Sequence, residues 1–194
     1  MAKGIYVGAL KKYQTSEFAS NPMPTSWTAS EDLKTGTATN DYGEWTLSEA
    51  NIPTSVDFYV GKAADGDESS YWTSASLDAN ETATYFNLIL PSGIEINPSS
   101  ISVRQRYCGN TSNPAVLQGY NGINWIDLGT LSRYSSVTTE KIEISEDQFF
   151  TRFRLKLYRY NSSYKKCYIY EFSLDSGIIK YPVSEPISVA HKVK

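Results

Sequence analysis

The segment Ala64-Asp65-Gly66-Asp67-Glu68-Ser69-Ser70 sets two carboxylates one glycine apart and follows them with hydroxyls. A loop of that kind can curl around a hard cation that takes about 6–8 oxygen ligands, with backbone carbonyls supplying the balance. The same residues also make an ordinary solvated turn. Other catalytic chemistry is sparse. The single histidine, His191, lies close to the C-terminus, which argues against a buried Ser-His-Asp triad or a multi-histidine metal site. Cys108 and Cys167 lack the paired spacing of a zinc site. They read as two free thiols serving as small core residues, or as one disulfide if the two strand ends are neighbours. Glycoside hydrolysis needs two carboxylates flanking a cleft. The obvious pair, Asp65 and Asp67, is better placed to hold a cation, so the sequence predicts a non-enzyme.

Composition narrows the field further. The 194 residues carry 18 Lys and Arg against 21 Asp and Glu, a net charge of −3. No basic excess is available to displace counterions from nucleic-acid phosphates. Hydrophobic residues make up 40% of the chain with no apolar run long enough to span a bilayer as a helix. The apolar stretch after Lys3 stops at Leu10 without a small-residue cleavage site, so Met1–Leu10 does not read as a signal peptide. Fifteen Tyr, four Trp and seven Phe suit pleated, half-buried surfaces.

The elements that must position these residues are strands. Short alternating runs separated by Gly, Pro, Asn and Ser predict an all-β sandwich. Phe86, Leu88 and Leu90 alternate with Asn87 and Ile89, Ile101, Val103 and Gln105 share one face while Arg104 and Arg106 share the other, and Ile142 and Ile144 alternate with Lys141 and Glu143. Asn121-Gly122 between Val116–Tyr120 and Asn124–Ile126 predicts a hairpin with a type I′ turn. Phe153, Leu155 and Leu157 alternate with Arg152, Arg154 and Lys156, a half-buried strand with a cationic outer face. Tyr168, Tyr170, Phe172 and Leu174 are expected to share one side of the last strand. Residues 1–27 and 178–194 read as arms or edge strands outside the sandwich, since Pro182 and Pro186 cannot donate to a central ladder. Gly4–Gly8 and Ile187–Ala190 form short strands in this reading that pair with each other; the alternative is frayed tails.

Five stretches stand in a familiar order: Asp65-Gly-Asp-Glu-Ser-Ser-Tyr-Trp-Thr-Ser74, Tyr85–Leu90, Pro114–Gly129, Phe150–Leu155 and Ile169–Ser173. Together they resemble the galactose-binding-like domains, which include discoidin and coagulation factor V/VIII C-type modules and the carbohydrate-binding modules of sialidases. The resemblance covers residues 28–177 and implies a galactose-binding-like jelly-roll β-sandwich with short N- and C-terminal arms. It also implies a structural calcium held by Asp65, Asp67, Ser70 and Glu171, with carbonyls near Lys62 and Ala63. For sugar it implies a loop site at one end of the sandwich, with Arg106, Tyr107, Asn110, Tyr160, Asn161 and Tyr164 as ligand-binding residues. An aromatic face for the sugar C–H surface beside fork-shaped and amide donors for its hydroxyls is coherent chemistry. A disulfide between Cys108 and Cys167 would clamp these two loops. Trp72 and Trp125 align with buried positions, whereas Trp27 is uncertain and Trp45, in Asp41-Tyr-Gly-Glu-Trp, reads as able to be exposed.

A second resemblance concerns the ends. Ala2–Gly8 and Val189–Lys194 are similar to the two halves of a short repeat in structural proteins of phages and prophages. It implies a virion protein of tail, fibre, neck or head decoration, made in the host cytoplasm. Its terminal arms would join other virion proteins, it would be oligomeric in the particle, and its sandwich would meet host surface glycans. The alternatives are a purely structural decoration or assembly module, and a carbohydrate-binding module of a bacterial protein.

Overall fold

The computed structural model describes residues 12–49, 59–145 and 147–183. Twelve strands form two antiparallel sheets packed face to face. The first sheet is ordered β1-β12-β7-β10, from Lys12–Phe18, Tyr168–Val183, Glu95–Arg106 and Thr138–Glu143, with the short β5 (Trp72–Thr73) also on β12. The second is ordered β2-β3-β4-β6-β11-β8-β9. Its strands are Thr28–Ala29, Thr35–Asn40, Gly43–Glu49, Thr84–Ile89, Arg152–Leu157, Ala115–Tyr120 and Trp125–Leu131. Among the described residues the only helical element is a 3₁₀ turn at Val60–Ala63.

Strict alternation drives the packing. In β6, Phe86 and Leu88 point inward, and in β11 Phe153, Leu155 and Leu157 do the same, so that the facing pairs bury one layer of the core. Trp72, Phe86 and Phe172 form its aromatic centre, with ring centroids 5.6 Å and 5.7 Å apart, separations favourable for tilted aromatic pairs. Trp45 is fully buried, correcting the exposed reading: it lies on the inner face of β4, and its indole N–H is satisfied by the Asn40 side-chain carbonyl at 2.9 Å. Trp27 is buried too and donates to the Ala64 carbonyl at 2.8 Å. Trp125 is not core. It opens the edge strand β9 and stays half-buried, covered by Tyr120 and by the Arg154 guanidinium 3.9 Å from its ring centroid.

Three backbone features depart from the sequence pattern. A bulge between Ile169 and Glu171 shifts the register of β12 on β7, so Tyr168 and Tyr170 stand on the outer face against Tyr71 while Phe172 and Leu174 stay inside. The Asn121-Gly122 turn is not type I′. Asn121 has no positive φ, and its side chain instead accepts from the Ile123 and Asn124 amides, a side-chain-closed turn. Finally, β12 does not stop at Gly177. Gly177, at φ 154°, sits where an added Cβ would lie 2.4 Å from the Asn97 carbonyl, and the strand continues to Val183 along β1 and β7. Residues 12–18 and 178–183, expected in the arms, therefore belong to the first sheet, and Ile179 is buried. Pro182 is accommodated opposite Tyr13, near the end of the strand. The strands expected at Gly4–Gly8 and Ile187–Ala190 lie outside the described residues, as do the motif halves at 2–8 and 189–194.

Cys108 and Cys167 are both buried free thiols. Their Sγ atoms donate to the Tyr168 and Tyr158 carbonyls at 3.6 Å and 3.1 Å, and burial pushes the Cys108 thiol well above its ordinary range. Both should resist a charged thiol reagent such as dithiobis-nitrobenzoate in the native protein and titrate as two thiols in denaturant. A native protein with no thiol titrating after unfolding would overturn this assignment.

Candidate functional site

Two regions at one end of the sandwich gather the residues with chemistry. The first is the acidic loop after the 3₁₀ turn. Ser70 is its hub: its Oγ lies 2.8 Å and 2.9 Å from the two Asp65 carboxylate oxygens, 3.1 Å from the Lys62 carbonyl and 3.0 Å from the Asp67 carbonyl. Gly66 adopts φ 76° to make the turn and its N–H reaches the Glu171 carboxylate, so the bulge in β12 aims Glu171 at this loop. Among the described residues, Glu171 Oε2 is buried without a hydrogen-bond partner. Burial pushes this carboxyl up to about 7; the Gly66 amide opposes the shift, and the charges of Asp65 and Glu68 add to it.

The loop differs from expectation in one ligand. The Asp67 carboxylate is turned away, accepting from the Ser69 amide and hydroxyl at 2.9 Å and 2.6 Å, which lowers its pKa. Asp67 therefore faces the hub through its carbonyl. Among the described residues no cluster of three or more His, Cys, Asp or Glu forms a metal-binding group. A cation here would rest on the carboxylates of Asp65 and Glu171, the Ser70 hydroxyl and the carbonyls of Lys62 and Asp67. That all-oxygen set with an orphaned buried carboxylate oxygen suits calcium better than a softer metal.

The second region is built from the β7–β8 and β11–β12 loops. Tyr107 occupies the left-handed region at φ 59°, a conformation costly for a bulky residue. It is held by its own ring contacts: Tyr164 stacks on it at 4.2 Å and 20°, and Tyr160 leans on it at 5.3 Å. The Arg106 guanidinium lies 4.3 Å from the Tyr107 centroid, with one N–H to the Tyr107 hydroxyl at 2.5 Å and another to the Ser135 carbonyl at 3.1 Å. Tyr107 is 8% exposed, whereas Tyr164 is 46% exposed. Tyr164 thus offers one open face and Tyr107 none.

Arg106, Tyr107, Tyr160 and Tyr164 lie together, whereas the Asn110 amide and the Asn161 side-chain carbonyl are engaged within their loops. Asn110 Oδ1 accepts from the Ser112 and Asn113 amides, and its Nδ2 donates to the Asn80 and Arg159 carbonyls. Asn161 Oδ1 accepts from the Ser163 and Tyr164 amides at 2.9 Å and 2.8 Å. Both amides shape their loops. Gly109, at φ 73°, allows the Ala115 amide to approach where a Cβ would lie 2.6 Å away.

Two shallow depressions flank the tyrosines. One, of about 300 Å³, runs past Tyr164, Ser163, Lys165, Lys166, Ser76 and Tyr168. The other, of about 260 Å³, is bordered by Tyr160, Arg133, Arg159, Asn80, Asn161 and Thr111. Arg133 caps the Tyr160 ring at 3.8 Å and donates to the Tyr160 carbonyl at 3.2 Å. Arg159 pins the 77–80 loop through the Asn80 side chain at 2.8 Å and the Asp78 carbonyl. Asn80, Arg133 and Arg159 were missed in the sequence, since nothing in their local pattern marks them and the fold alone brings them together.

The sandwich matches solved carbohydrate-binding modules. A family 32 carbohydrate-binding module from Clostridium perfringens NanJ, in complex with galactose, superposes with a TM-score of 0.50 and 11% identity, covering 69% of this chain and 93% of that one. Chitosan-binding module 2 of a Paenibacillus chitosanase/glucanase, in complex with chitotriose, gives 0.51 at 14% identity over 66% and 92%. A Ruminococcus gnavus GH29 fucosidase gives 0.53 at 13% identity, over 69% of this chain and only 25% of that chain. No protein-family model matches the sequence, and no curated protein does. The fold is therefore a β-sandwich of the galactose-binding-like kind.

Proposed function

We propose that this chain is a non-catalytic carbohydrate-binding module that reads a surface glycan with the loop end of its sandwich. The observation that carries the reading is Tyr164: an aromatic ring stacked from behind by Tyr107, open on its other side, and flanked by depressions lined with Lys165, Lys166 and Arg133. A rigid ring suits the C–H face of a sugar, and the surrounding cations and hydroxyls suit its oxygens. In this reading Arg106 braces Tyr107. Glycan-array binding tests it: Tyr164→Ala is expected to weaken binding about tenfold or more while the variant still unfolds in one cooperative transition, at a midpoint lowered by the loss of the ring stacked on Tyr107. Undiminished binding by the variant would overturn the reading.

Calcium belongs to the same proposal, with Asp65, Ser70, Glu171 and the Lys62 and Asp67 carbonyls as its holders. Its role would be to tie the 62–70 loop to β12.

The wider setting we propose is a phage or prophage particle, in which several copies gain avidity from weak single sites. Support comes from the sequence of the terminal segments and from the pairing of Lys12 with Val183, which brings the described ends out at one sheet edge. Mass spectrometry of purified particles produced from the encoding genome tests it: peptides of this chain co-purify, or the virion role falls. The closed amide network of Asn110 favours a second reading, a structural module whose loops pack on a partner protein. Absence of binding to every glycan and host wall preparation would select it.

A further inference from the structure

The outer face of the second sheet carries a feature that the loop site does not use. Arg152, Arg154 and Lys156 project from β11, an interior strand of that sheet, while the alternate residues are core. Each cation lies against an aromatic ring: Arg152 is 5.6 Å from the Tyr120 centroid, Arg154 is 3.9 Å from Trp125 and 4.5 Å from Tyr85, and Lys156 is 5.6 Å from Tyr158. The ladder surrounds them with neutral residues. Arg152 stands between Ile89 and Tyr120, Arg154 between Asn87 and Gln118, and Lys156 between Tyr85 and Val116. Asp127, whose charge acts on Arg154, accepts from the Gln118 amide at 2.6 Å, and Gln118 in turn accepts from Arg154 at 2.7 Å.

Among the described residues, none of the three cations forms an ion pair, although five other pairs form on the surface. Three aligned, unneutralised cations in a chain of net charge −3 concentrate positive potential on one strip. At two-residue spacing the strip is roughly 13 Å long.

We propose that this face is a second binding surface, separate from the loop site, for an anionic polysaccharide of the polyuronate class. Sugar carboxylates would meet Arg152 and Lys156, and sugar C–H faces would lie on the exposed parts of the Tyr85, Tyr120 and Trp125 rings. Charge complementarity fixes the sign of the ligand. Duplex nucleic acid is disfavoured because its phosphate density calls for many more cations than three.

Affinity electrophoresis of the full chain through gels containing polygalacturonate tests the surface. Wild type is expected to be retarded, with retardation falling as salt rises. Arg152→Glu with Lys156→Glu should weaken it about tenfold or more, and Arg152→Gln with Lys156→Gln should weaken it less. Arg154 is left intact because it is wedged between two rings. Tyr164→Ala should leave the retardation unchanged, which separates this surface from the loop site. Wild-type protein that runs freely in polygalacturonate, charge-reversed protein that is still retarded, or retention by single-stranded DNA in place of polygalacturonate would each overturn the proposal.

Discussion

Adding excess EGTA to protein purified in calcium is expected to lower its thermal midpoint by about 10 °C. A ligand at about a thousandfold over its Kd stabilises the native state by about 4 kcal/mol, and a domain of this size shifts by roughly 2–4 °C per kcal/mol. Glu171 carries the expected effect. A buried carboxylate oxygen without a partner, beside the charge of Asp65, is an unfavourable arrangement that a divalent cation would relieve. Calcium should restore the midpoint and magnesium should not, because magnesium demands a smaller octahedral shell and sheds water reluctantly. Glu171→Gln and Asp65→Asn should each abolish the calcium response. The metal-free melting curve of Glu171→Gln should be no worse than wild type, since it removes a buried charge from the cluster, whereas Asp65→Asn also gives up the Lys62 ion pair at 3.4 Å. Coincident wild-type curves with calcium and with chelator would remove calcium from the account.

The second large effect is a fall in stability with rising pH, carried by Glu49. This residue ends β4, is 7% exposed, and takes the Trp72 indole N–H on one oxygen while Oε1 has no partner among the described residues. Burial pushes its carboxyl up to about 8, with the Trp72 hydrogen bond and the Lys34 charge opposing. The unfolded chain ionises Glu49 near 4.5, so between that pH and about 8 the native state holds the extra proton. Its stability therefore falls with rising pH across that window and levels off above it. The loss is about 2–4 kcal/mol after discounting for solvent screening. Urea unfolding from pH 5 to 9 should show the slope. In chelator, with no metal on the carboxylate, Glu171 adds to it in the same sense up to about 7, so Glu49→Gln should retain the lower part and lose the upper. An unchanged slope above pH 7 in that variant would sink the assignment.

How far the sequence reached depended on whether a residue's partner was local. The alternation in β6 and β11 is a property of one strand, and it placed Phe86 and Phe153 inside. The β3–β4 hairpin was not legible: Thr35–Asn40 is Thr, Gly, Ala and Asn, without apolar contrast, and the polar neighbours of Trp45 hid a buried indole. The bulge at Tyr170 moved two tyrosines to the opposite face without leaving any mark on composition. Gly177 and Pro182 looked like stops because their tolerance depends on Asn97, Pro98 and the β1 partner, far away in sequence. The same division holds at the site. The tyrosines and the acidic loop could be named from short motifs, but Arg133, Arg159 and Asn80 reach the loops only through long-range packing.

The 16-residue β12 has a bearing on how the protein is made. It pairs with β1, β5 and β7, carries Glu171 to the acidic loop and Tyr168 to the aromatic cluster, yet it is the last of the described strands to leave the ribosome. Until it does, β7 has no partner on one side, β1 has none on either, and the first sheet has no centre. Folding of that layer must therefore wait for nearly the whole chain, a high-contact-order route that is slow and leaves strand edges open to aggregation. Expression yield should be governed by protection of the nascent chain during that interval more than by the stability of the finished sandwich.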